Sequence, residues 1–152
     1  MKSLFLIFLL LSIGVASAQE DKPTQAFSGC YELKVEGWHP ARTYSDQFLP
    51  RRFQLTGQAT KLGLVPKNLD SNIRYDLAVS SWYVRDQFNV EIIWSTGFVG
   101  WTVLLNRFGS NEFRGTAKFQ TDTEREPSES RTVVAHAIDC KGLGDESSKK
   151  PQ

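Results

Sequence analysis

In "FNVEIIWSTGFVGWTVLL", Phe88 to Leu105, apolar residues recur at every second position on the near side of a short break. Phe88, Val90, Ile92 and Trp94 fall on one face and Asn89, Glu91 and Ile93 on the other, which is the period of a half-buried strand. Gly97 and Gly100 then supply the permissive backbone of a hairpin turn, so Trp94 and Trp101 are expected to flank it. The turn also carries Phe98 and Val99, where hairpin tips are ordinarily polar.

The same period runs through most of the chain. "EFRGTAKFQT" places Phe113, Gly115, Ala117 and Phe119 on one side, and "YELKV" places Tyr31, Leu33 and Val35 against Glu32 and Lys34. "RRFQLTG", "GWTVLLNRF" and "RTVVAHAIDC" read as further strands, and "IRYDLAVSSWYV" as a long one bent near Ser80 and Ser81. No apolar 3.6-residue pattern lasts three turns, so little helix is expected. Turn signals occupy Asn68 to Asn72, Phe108 to Asn111 and Glu124 to Ser130, which makes the last four strands a meander of hairpins. Gly37 to Pro50 is a long connection after the first strand.

At the start of the chain, Lys2, the apolar run Leu4 to Val15 and the small-x-small triplet Ala16-Ser17-Ala18 read as a secretory signal peptide over residues 1–18. The run is too short to span a bilayer. With 18 Lys and Arg against 17 Asp and Glu, removal of Lys2 brings the net charge from +1 to zero. Long-range attraction to nucleic acid or to an anionic membrane is therefore not expected. The organisation that follows is a flexible segment over 19–27, one domain over 28–141 and a polar, disordered tail over 142–152. Cys30 and Cys140 are the only two cysteines, and an oxidising compartment, secreted or periplasmic, would pair them. The competing reading is a lipid on Cys30 within Phe27-Ser28-Gly29-Cys30; the charged Glu20, Asp21 and Lys22 that separate it from the apolar run weigh against it.

These strands and joined ends predict an all-β fold, a single antiparallel barrel of seven to eight strands, with a two-sheet sandwich as the runner-up. Small residues on the expected inner face, Gly115, Ala117, Ala135 and Ala137, would leave room inside such a barrel. Gly29-Cys30-Tyr31 at the opening of the first strand and the cysteine pair near the ends resemble the small barrels of the lipocalin and avidin type. That resemblance implies a basic residue of the final strand packed over the first-strand aromatic, which is Tyr31 here in place of Trp; Arg131 is the basic residue available. "GCYEL", "WSTGF" and a final strand ending in Cys are similar to a set of secreted bacterial proteins of unassigned function, a resemblance that implies no activity.

Two clusters are candidate sites. Around the apolar turn, Phe98 is expected to fold inward as a stopper; alternatively Trp94, Phe98 and Trp101 line a pocket mouth, or the tip is a contact for another protein. In "GWHPARTY", Trp38 anchors the long loop, and Arg42 with His39 could orient a carboxylate or phosphate if that loop covers a pocket. Catalysis has little support. The two histidines are His39 and His136, and Asp139 falls on the opposite strand face from His136. No nucleophile elbow, zincin motif, P-loop or dinucleotide fingerprint is present, nor the spacing of a zinc site, and Glu124 and Glu126 read as solvated.

The expectation is a secreted or periplasmic barrel that binds a small apolar or amphipathic molecule, lined by Trp82, Trp94, Phe98 and Trp101 with Trp38 and Arg42 above, and requiring no cofactor and no membrane insertion. The alternative is a protein-binding module, such as a barrel-type inhibitor of an extracellular hydrolase, engaging its partner through Phe98 or the segment Gln19 to Gln25. An enzyme whose site a single sequence does not disclose is the third possibility.

Overall fold

The computed structural model describes residues 22–37, 44–57, 59–60, 63–70, 73, 75–122, 129–141 and 143. A helical turn at Lys22–Gln25 leads into ten strands: β1 Gly29–Val35, β2 Arg52–Leu55, β3 Ala59–Thr60, β4 Gly63–Leu64, β5 Lys67–Asn68, β6 Ser81–Val84, β7 Asn89–Ser95, β8 Val99–Arg107, β9 Glu112–Thr121 and β10 Ser130–Ile138. Eight form one antiparallel sheet in the order β5-β2-β1-β10-β9-β8-β7-β6, and β3 pairs with β4 in a separate hairpin.

The sheet is curled into a barrel-like shape. Phe53 of β2 and Trp94 of β7 stand five strands apart in the sheet order. At ~4.8 Å per strand a flat sheet would separate them by ~24 Å, yet their ring centroids are 5.9 Å apart. Strand twist and one buried face cause the curl: β7 reads alternately half-buried and buried along its whole length. The expected all-β barrel architecture is thus present in place of a two-sheet sandwich, with the β5 and β6 edges not hydrogen-bonded to each other.

Several expectations shift in detail. Among the described residues of "IRYDLAVSSWYV" only Ser81–Val84 is strand, because Ser80 turns the chain: its N–H and hydroxyl both donate to the Leu77 carbonyl, at 3.1 and 2.7 Å. Phe88, expected on the inner face, lies in the β6–β7 turn and is 55% exposed. Asp86 closes that turn by accepting the N–H groups of Phe88 and Asn89. Its carboxyl is held below the usual range by the side-chain amide of Asn89 and then by these backbone donors. The inward small residues serve packing. Ala117 and Ala135 are fully buried, Ala137 is exposed, and a Cβ on Gly115 would lie 1.7 Å from the Leu104 carbonyl oxygen.

Aromatic residues are buried near both ends of the curled sheet. At one end Phe27 is fully buried beside Phe113 and Tyr31, and the Tyr31 hydroxyl donates to the Phe27 carbonyl at 2.7 Å. At the other, a 3-10 turn at Ser45–Phe48 buries Phe48 and Leu49 against Phe119. This turn is fixed by a mostly buried polar group. Arg131 pairs with Asp46 at 2.7 Å and with Glu129, Ser45 donates to Glu129, and the Trp101 indole N–H donates to the Ser45 carbonyl at 2.7 Å. Arg131 also lies over Trp101, 5.7 Å from its ring centroid, and not over Tyr31 as the lipocalin resemblance implies. The cation nearest Tyr31 is Arg107, stacked on Phe27 and Phe113 at 5.0 and 5.4 Å.

Cys30 and Cys140 form a disulfide with Cα atoms 5.3 Å apart, joining the start of β1 to the residues after β10. Among the described residues no helix is long and apolar enough to cross a membrane. The signal peptide expected over 1–18 and, apart from residue 143, the tail expected over 142–152 lie outside the described residues.

Candidate binding site

The β7–β8 hairpin has the expected pairing, Trp94 opposite Trp101 and Ser95 opposite Gly100. Gly97 takes φ +101°, a value that favours glycine, and Thr96 ties the turn by donating its N–H to the Val99 carbonyl at 3.1 Å. Gly100 is needed for a different reason. It is buried, and a Cβ there would meet the Trp94 carbonyl oxygen at 2.1 Å. Val99 belongs to β8 and packs against the core, so Phe98 alone occupies the tip.

Phe98 is 71% exposed and does not plug the barrel; Phe48 and Leu49 fill that end instead. Trp82, Trp94 and Trp101 are 1%, 1% and 0% exposed. The interior space among Tyr31, Phe53, Leu55, Val90, Leu105 and Phe113 is too small for a water molecule. The indole N–H groups of Trp82 and Trp94 are buried without an acceptor among the described residues, an arrangement that costs roughly 1–3 kcal/mol each. These tryptophans are core residues in this conformation, and that space is packed by their neighbours.

A hollow of about 260 Å³ lies at the hairpin. Trp94, Phe98 and Trp101 all border it, although the two tryptophans offer it almost no accessible surface. Its reachable lining adds Ile93 and Thr102 of the hairpin with Gln120 and Asp122 at the end of β9. β9 is held there by the register Gly100 to Gln120 and by the Asp122 N–H donating to the Phe98 carbonyl at 3.0 Å. Thr102, Gln120 and Asp122 are absent from the candidate residues read from sequence, since each looks like an ordinary solvent-facing strand residue. Trp82 does not line the hollow, and Trp38, His39 and Arg42 lie outside the described residues.

His136 sits in register between Glu32 of β1 and Glu112 of β9. Glu112 is paired with Arg114, and no group of three or more His, Cys, Asp or Glu among the described residues is placed to hold a metal ion. The chain matches no model of a known protein family, no curated protein and no solved structure.

Proposed function

We propose that the protein is an exported binding module that takes a small amphipathic molecule at the β7–β8 hairpin, on the outside of the barrel. The observation that carries this reading is the hollow of about 260 Å³ beside an aromatic ring that is 71% exposed. Large exposed aromatics at a concave site are a feature of binding surfaces. The disulfide supports folding in an oxidising compartment, in accord with the signal sequence read at residues 1–18.

The hollow lies just below the usual range for drug-sized ligands, ~300–1,000 Å³. An occupant of ~12–20 non-hydrogen atoms at ~0.3 kcal/mol each would bind with a Kd of roughly 0.04–2 mM. The test is titration of the oxidised protein with a panel of small amphipathic molecules while backbone amide NMR shifts are followed. Saturable shifts clustered at Gly97, Phe98, Gln120 and Asp122 and weakened in Phe98→Ala are expected. Saturable shifts clustered elsewhere would refute the site.

A protein-binding module is the second reading, favoured by the exposure of Phe98 at the apex of the hairpin. It predicts that a protein partner, and no small molecule, protects the Phe98 amide from exchange.

A further inference from the structure

We infer that the occupant of the hollow is a saccharide, an inference that rests on the hairpin end being the binding site. The lining of the hollow is chemically mixed. Phe98 and Ile93 are apolar, and polar residues adjoin both: Thr102 is paired with Ile93, and the Asp122 N–H donates to the Phe98 carbonyl. The Thr102 hydroxyl, the Gln120 carboxamide and the Asp122 carboxylate make no side-chain hydrogen bond among the described residues. Together they offer a hydroxyl that donates and accepts, an amide that does both, and a carboxylate that accepts.

The polar groups narrow the ligand class. A wholly apolar occupant would strip water from all three groups and return no hydrogen bond. An anion would face the Asp122 carboxylate. A sugar ring suits such a mixed lining. The C–H groups of one of its faces present the weakly positive edge that the negative face of an aromatic ring attracts, and its rim of hydroxyls donates and accepts. Size agrees as well: about 260 Å³ lies just below the ~300–1,000 Å³ of sites for drug-sized ligands, as suits an occupant as small as a sugar ring. Gly100 keeps strand β8 close to β7, so no side chain rises between Ser95 and Gln120 to fill the space.

The experiment is an amide NMR titration of the oxidised protein with glucose, N-acetylglucosamine, cellotriose and chitotriose, and in parallel with octanoate and choline. The expected result is saturable shifts at Phe98, Gln120 and Asp122 with at least one saccharide, insensitive to salt because the contact is not an ion pair. Phe98→Ala should weaken that binding about three- to tenfold, and Phe98→Trp should retain it. Asp122→Ala should weaken it about ten- to a hundredfold. Retained dispersion of the amide spectrum separates these losses from unfolding. Shifts at these amides with octanoate alone, or with choline alone and abolished by salt, would overturn the saccharide and leave the site standing. No shift at these amides with any of the six probes would overturn both.

Discussion

Replacement of Arg131 by methionine, which keeps most of the side-chain volume and removes the charge, should be among the most damaging single changes in this protein. Asp46 has no side-chain exposure, and the Arg131 guanidinium 2.7 Å away is its ion-pair partner. Removal of one member of a buried pair typically costs ~3–5 kcal/mol, because the remaining charge stays desolvated. The lost contact with the Trp101 ring adds roughly 0.5–1 kcal/mol. Glu129 adds little, since its side chain is 37% exposed and can be solvated. Against a typical domain stability of ~5–15 kcal/mol, a total loss of ~3.5–6 lowers Tm by ~14–24 °C at ~4 °C per kcal/mol. The assay is urea unfolding followed by tryptophan fluorescence, with Asp46→Asn made alone and combined with Arg131→Met. The double variant should be markedly more stable than the sum of the two single losses predicts. A cost below ~1 kcal/mol for Arg131→Met, or strictly additive losses, would refute the assignment of a coupled buried pair.

Tyr31→Phe should cost ~0.5–1.5 kcal/mol at neutral pH through loss of the hydrogen bond to the Phe27 carbonyl. Burial raises the Tyr31 pKa above 10.0, opposed by the nearby Arg107 charge, so its stabilising effect is complete below pH ~10 and is lost as pH rises through the folded-state value. The phenylalanine variant should show a shallower fall in stability on the alkaline side in pH-dependent urea melts. Reduction of the Cys30–Cys140 bridge, which spans 110 residues, should lower stability by ~4–5 kcal/mol in the same assay with and without reductant. Gly115→Ala should destabilise by ~1–3 kcal/mol or more, whereas Gly109→Ala, with open space around it, should stay within ~0.5 kcal/mol in thermal melts.

Strands β7 to β10 are legible in the sequence because each buries one face and therefore alternates. The two-residue strands β3, β4 and β5 are too short to carry a period, and Lys67–Asn68 reads as the approach to a turn. Phe88 fits the period of β7 by position alone, since Asp86 captures its backbone in the turn. Asp46 looks like a solvated loop charge until the fold brings Arg131 to it across 85 residues. Gly115 and Ala117 are legible as inward and small, but whether small residues leave a lumen or admit a neighbouring strand depends on how tightly the sheet curls. Phe98 stands out as an apolar residue in a turn. Gln120 and Asp122 join it only through the β8–β9 register, a distance relation that no local pattern encodes.

The disulfide also sets how the protein carries mechanical load. A pull on the two chain ends enters through the residues before Cys30 and leaves through those after Cys140, so tension passes from one sulfur to the other. The intervening 110-residue span lies off that line of force. While oxidised, the barrel can be extended only by the length of its flanking segments, and its sheet is never unzipped. Reduction places the whole sheet in series with the load, so the thiol state of one pair of residues decides whether this domain acts as an inextensible link or as a long, yielding one.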